Sequence, residues 1–288
     1  MKNTLKITGL LTALLFTGPA LADSPIWVTS GLKMPESVEY DRVRDQYYVS
    51  NINGGVMDQD SNGSIGLLDA RGKLINVDWV TGLHSPKGLA LHNNKLYVAD
   101  VKQLVVINVD SGKVVARYPA DDSMVLNGIT VSKTGNIFIS DWTGNRIYTL
   151  DDGELKIWLE SAKLNSPNGL WVDDNNLYVA SWGARPKQDF TTETTGNIKQ
   201  ISLKTKNIKT LPQDNLWINM DGIYPYSKNK WIISDFIKGE ILLLDGKGGV
   251  KKLVTTKYGS ADIYYIHDKN LLIVPLMMDN QVVAYTVE

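Results

Sequence analysis

The chain has 288 residues, 30 Lys and Arg against 31 Asp and Glu, no cysteine and only three histidines (His84, His92, His267). Near-neutral charge argues against a nucleic-acid binder, whose surface must neutralise phosphates. The missing cysteines exclude disulfides, thiolate nucleophiles and zinc ribbons, and the scattered histidines leave only oxygen ligands for any metal.

The first 22 residues read as an export signal. Lys2 and Lys6 precede an apolar run over 7–16, and Ala20-Leu21-Ala22 supplies the small-x-small cleavage pattern. The run is too short to span a bilayer. Cleavage after Ala22 would leave residues 23–288 as one domain in the periplasm or outside the cell, free of the membrane; the alternative is an uncleaved anchor.

The mature chain then repeats. Segments 35–40, 86–91, 126–131, 167–172, 220–225 and 261–266 align, and each is followed after a polar turn by an apolar run ending at Asn51, Asp100, Asp141, Ser181, Asp235 and Pro275. Successive units lie 51, 40, 41, 53 and 41 residues apart. Short β-branched and aromatic runs between turn signals read as antiparallel strands. A period near forty with about four strands is the mark of a propeller blade. The sequence therefore predicts an all-β, six-bladed β-propeller with four antiparallel strands per blade and no helix beyond two turns. Residues 27–32 resemble 79–83, which precede the first strand of a blade. The N-terminal copy is expected to close the last blade beside the C-terminal strand over 282–287, which protects both edges.

In such a fold the first strand of each blade lines the channel, and the second residue of each repeat falls on a ring near one mouth. Those residues are Glu36, Lys87, Asn127, Asn168, Asp221 and Asp262. Carboxylates and carboxamides together suit a hard cation, while Lys87 could balance charge or meet an anionic substrate. Asn-Gly and Asp-Gly at 127, 168 and 221 are also good turn pairs, so a purely structural role stays open; Glu36, followed by Ser, has no such explanation. The long steps fall in loops 52–64 and 183–197, on the same face as the ring. With Trp142, Trp182 and Phe236 they are expected to supply a lid and pocket wall. Asp58, Asp60 and Asn62, with Asp69 in the twelfth position, mimic a calcium loop, although without flanking helices a hairpin turn fits better.

Pro35-Glu36-Ser37, Asn127-Gly128, Ser166-Pro167-Asn168-Gly169 and Asp221-Gly222, in that order, resemble the senescence marker protein/gluconolactonase family across the mature chain. The resemblance implies a six-bladed propeller with one divalent cation in the channel, usually calcium, with zinc, magnesium or manganese accepted. It implies Glu36, Asn168 and Asp221 as metal ligands and Asn127 beside metal and substrate. Hydrolysis of a lactone or related ester of a small molecule follows, with Asp221 as general base and Lys87, Trp142 and Trp182 toward the substrate. Asp262 is expected behind the ligands. Val125 stands where sugar-lactonase members carry Arg, which turns the expectation from sugar-acid lactones toward a more apolar substrate. The competing expectation is a non-catalytic binding propeller of the NHL type with a structural metal.

Overall fold

The computed structural model describes residues 24–213 and 216–287; the export signal expected over 1–22 lies outside them. Six four-stranded antiparallel sheets surround a central channel. The innermost strands of blades one to six are Pro35–Asp41, Pro86–His92, Leu126–Val131, Pro167–Val172, Met220–Ser227 and Tyr264–Ile266. Each pairs with the strand that follows it in sequence, ending at Asn51, Asp100, Asp141, Ser181, Asp235 and Leu276. Among the described residues the helical segments are three single 3-10 turns.

Blade six is completed as the repeat predicts. Trp27–Ser30 is its outermost strand and pairs antiparallel with Gln281–Thr286, Trp27 opposite Ala284 and Ser30 opposite Gln281. Trp27 then packs on Tyr47 of blade one, with ring centroids 5.8 Å apart, as Trp79 stacks on Tyr48 at 5.1 Å. The core lies between blades. Each of the six junctions holds its own apolar cluster, such as Leu104, Leu126 and Ile139 between blades two and three. Burying each such side chain contributes about 1.5–3 kcal/mol.

The glycines of the Asn-Gly and Asp-Gly pairs are not in turns. They lie inside the inner strands, where the ladder slips register between Pro86 and Leu89, Leu126 and Ile129, Pro167 and Leu170, and Met220 and Ile223. A Cβ on Gly88, Gly128 or Gly169 would stand closer than 3.0 Å to the carbonyl oxygen of Asn127, Asn168 or Asp221 in the next blade. A Cβ on Gly222 would similarly strike the backbone nitrogen of Ile263. Neighbouring blades thus meet backbone to backbone, and glycine is required by that approach.

Two measurements test these readings. Gly128→Ala and Gly169→Ala are expected to cost about 1–3 kcal/mol in denaturant unfolding, whereas Gly246→Ala, whose Cβ would find nothing nearer than 3.5 Å, is expected to be nearly neutral. Lys199 is 4% exposed, and its ammonium donates to Thr210 Oγ1 at 3.0 Å. Burial pushes its pKa from 10.5 down to about 8. Between those values the unfolded chain binds more protons than the native one, so stability rises with pH there and the cost of burying the charge is fully present below the lower value. Lys199→Met is expected to raise the melting temperature at pH 7 and to flatten its rise across that window in a calorimetric pH series.

Candidate functional site

The register slip that places the glycines also aims the residue before each of them. In that β-bulge the second residue of the inner strand leaves the ladder and is directed into the channel. Two further repeats hold it there. The Asp100 carboxylate accepts the backbone N–H groups of His84 and Ser85, and the Asp141 carboxylate accepts those of Met124 and Val125. Ser50, Ser140 and Ser234, one residue before the end of their strands, accept the N–H of Ser37, Gly128 and Gly222. The Ser-Asp that closes the second strands of blades three and five, at 140–141 and 234–235, is a clamp on the entry to the neighbouring inner strand.

Five of the six sequence-aligned positions come together as a result. Glu36, Lys87, Asn127, Asn168 and Asp221 line one cavity of about 40 Å3. Asp262 does not join them. Ser260 faces Leu276 as Leu126 faces Asp141, and the Ala261 carbonyl accepts from Ser234 Oγ as the Asn168 carbonyl accepts from Ser140 Oγ. The sixth ring position is therefore Ala261. Asp262 occupies the place of the glycines, one step further into the channel, where Ser37 Oγ donates to its Oδ2 at 2.9 Å. Blade six has no glycine to mark its register, and its repeat in the sequence is displaced by one residue.

The ring is dry. Glu36, Lys87, Asn127, Asn168 and Asp221 are all at most 8% exposed. Glu36 Oε2 and Asp221 Oδ1 are buried with no hydrogen-bond partner, which is costly for a carboxylate. Burial pushes the Glu36 carboxyl upward and negative Asp262 adds to this, with Lys87 opposing. Burial likewise raises Asp221, helped by Glu36 and Asp262. Lys87 donates to Ser85 O at 2.9 Å and Ser85 Oγ at 3.1 Å, and burial lowers its pKa against the pull of Glu36. Two carboxylate oxygens lacking donors, beside two carboxamides, match the oxygen donors a hard cation accepts. Among the described residues no three His, Cys, Asp or Glu side chains are spaced to hold a metal, so the carboxamides of Asn127 and Asn168 would have to complete the set.

The walls are apolar. Trp142 and Trp182 pack edge to face at 5.6 Å, and Trp182 lies 5.2 Å from Phe236. Loop 52–64 contributes Ile52 and Val56 and loop 183–197 contributes Phe190, whose carbonyl accepts from Trp182 Nε1 at 2.9 Å. Val125 is part of the same wall. Met277 was not foreseen: in blade six it holds the place of Trp142, Trp182 and Phe236, its N–H donating to Gly259 O as theirs donate to Val125, Ser166 and Asn219 O, and the one-residue slip that misplaces Asp262 hides it. The calcium-like run is a turn: Asp58 accepts from Gly55 N, Asp60 from Asn62, and Asp69 from Arg71 N and Lys73 N.

No model of a known protein family matches the chain, and neither does any curated protein sequence. The four motifs remain the ground for the family resemblance. Solved structures do match. Virginiamycin B lyase from Staphylococcus aureus, as a catalytically inactive variant with quinupristin, superposes with a TM-score of 0.61 at 14% identity, over 90% of this chain and 84% of that one. Its selenomethionine form gives 0.59 at 13%, over 91% and 99%. A streptogramin B lyase gives 0.61 at 14%, over 91% and 87%. At such identity the likeness establishes the propeller fold.

Buried carboxylates without donors carry a stability cost that the amide isosteres lack. In chelator-treated protein, Glu36→Gln and Asp221→Asn are expected to leave the melting temperature unchanged or to raise it, by up to about 2 kcal/mol of stability. A fall of several degrees in scanning calorimetry would show that the carboxylates have partners in solution.

Proposed function

We propose that the chain is a divalent-cation-dependent hydrolase, exported from the cell, acting on lactones or related carboxylic esters whose acyl part is apolar. One observation carries the reading: two buried carboxylate oxygens without partners, on Glu36 and Asp221, share a cavity with Asn127, Asn168 and Lys87 beneath an aromatic wall. The unpartnered oxygens supply what a cation needs, and the wall supplies what an acyl chain needs.

Glu36, Asn168 and Asp221 would hold the ion, calcium by preference or zinc, magnesium or manganese. When bound it supplies Lewis acidity toward an ester carbonyl. Asp221 takes the proton from the attacking water through its free oxygen. The water oxygen bonds to the acyl carbon, the acyl–oxygen bond breaks, and the proton passes to the departing alkoxide, so that a lactone yields its hydroxy acid. The Asn127 carboxamide donates to the substrate, and the Lys87 ammonium lies beside the negative charge that develops on its oxygen. Trp142 and Trp182 exclude water and seat the acyl chain. Val125 offers neither charge nor hydrogen bond to a polyhydroxylated ring, which supports an apolar substrate.

A second reading has one observation in its favour. The ring cavity, about 40 Å3, is far below the roughly 300–1,000 Å3 of ordinary ligand pockets, which suits a structural cation in a binding propeller.

Calcium-dependent turnover of aryl esters and acyl lactones of increasing chain length, run in isotopically labelled water, separates the possibilities. The expected result is label in the product acid, a preference for longer chains, and a loss of kcat of at least ~100-fold in Glu36→Gln and Asp221→Asn. Equal activity in all three proteins would sink the hydrolase. Product without label would indicate elimination instead. A calcium-induced rise in melting temperature without turnover would favour the binding propeller.

A further inference from the structure

The inner strands carry a second ring. Three residues beyond the first ring, about 10 Å further along the strand, the repeats place Glu39, Ala90, Thr130, Trp171, Tyr224 and Tyr264. All six line a separate cavity of about 220 Å3 toward the opposite mouth of the channel. Nothing in the proposed hydrolysis uses them.

The chemistry of this chamber is one-sided. The charged residues on its walls are Glu39 and Asp262, both acidic. Burial holds the Glu39 carboxyl well above the usual range; a backbone hydrogen bond from Leu91 opposes this in part, and the charges that act on it, Asp262 and Asp41, are both negative. Arg42, in the adjoining surface hollow, donates to Asp268 at 2.7 Å; its charge is felt at Tyr224 and Tyr264, but it does not line the chamber. Beside Glu39 the wall is aromatic. Trp171 and Tyr224 lie 5.1 Å apart and Tyr224 and Tyr264 4.8 Å apart, all at oblique angles, so that the three rings form a curved surface.

We propose that this mouth of the channel binds a small organic ammonium ion, with Glu39 as counter-ion and Trp171, Tyr224 and Tyr264 as the cage. Aromatic faces attract a cation through the ring quadrupole and tolerate its alkyl groups. A hard metal ion would instead demand several oxygens, and the second carboxylate on these walls, Asp262, is engaged by Ser37 Oγ. The chamber is below the roughly 300 Å3 at which drug-sized pockets begin, which limits the ligand to a few carbons around the nitrogen. The binding is independent of the hydrolase reading, because it shares no residue with the first ring.

Choline and its neutral isostere 3,3-dimethylbutanol test the assignment, titrated into the full chain by calorimetry and by tryptophan fluorescence. Choline is expected to bind at least about tenfold more tightly than the alcohol, the worth of a desolvated cation–aromatic contact. Glu39→Gln is expected to abolish that preference and Trp171→Leu to weaken choline at least about fivefold, while Glu36→Gln leaves choline binding unchanged. Circular dichroism of each variant establishes that it is folded. Equal affinity for choline and the alcohol, retention of the preference in folded Glu39→Gln, or no choline binding would each overturn the proposal. Loss of choline binding in Glu36→Gln would overturn its placement at this mouth.

Discussion

Neighbouring blades touch where their inner strands run side by side with no room for a side chain. At Gly88, Gly128, Gly169 and Gly222 the next blade's backbone occupies the space a Cβ would take. That contact sets the width of the channel, and hence the spacing of every residue that faces it. The bulge that admits the glycine also swings the preceding side chain inward, so a packing requirement and a polar ring arise from the same two residues. At the junction of blades six and one the rule changes. Ser37 and Asp262 stand there instead of glycine, joined by their side chains and by Asp262 N donating to Glu36 O at 2.9 Å. At the closing junction a hydrogen-bonded side-chain pair stands where the others place glycine against bare backbone.

Polar residues placed so deep are held at a cost. Folding strips water from Glu36, Asp221 and Lys87 and gives the two carboxylates incomplete compensation. The six apolar junctions can sustain that cost because each is a full core of its own. Stability and chemistry are thereby separated radially: aromatic and aliphatic contacts between blades hold the molecule, and the axis is free to carry groups that oppose folding.

The sequence displays the fold almost completely, because a propeller is written as a period and a period survives variation at individual positions. The closure by Trp27–Ser30 was legible for the same reason, through its likeness to 79–83. Five ring residues were legible as departures within an otherwise regular repeat. What could not be read depends on contacts between residues some forty positions apart. The glycines look like turn formers because their true constraint is the backbone of another blade. Asp262 looks like a ring member because blade six lacks the glycine that would fix its register. Met277 is hidden by the same slip, since it holds in blade six the place of Trp142, Trp182 and Phe236, and the unpartnered state of Glu36 Oε2 is a property of the folded interior alone.

The split construction of blade six bears on how the molecule assembles. Blades one to five are each made from one continuous stretch, so their ladders join residues close in sequence. Blade six pairs Trp27 with Ala284, across about 250 residues, and ordering so long a loop carries an entropy cost that the other blades avoid. Contacts of that separation slow folding. The ring of blades can thus be built locally, one wedge after another, while its final locking waits for the two ends of the chain to meet. Until then the edges of blades one and six are open, and the channel with both its rings has no fixed diameter. The N-terminal strand is in this sense a latch whose engagement completes the axial sites.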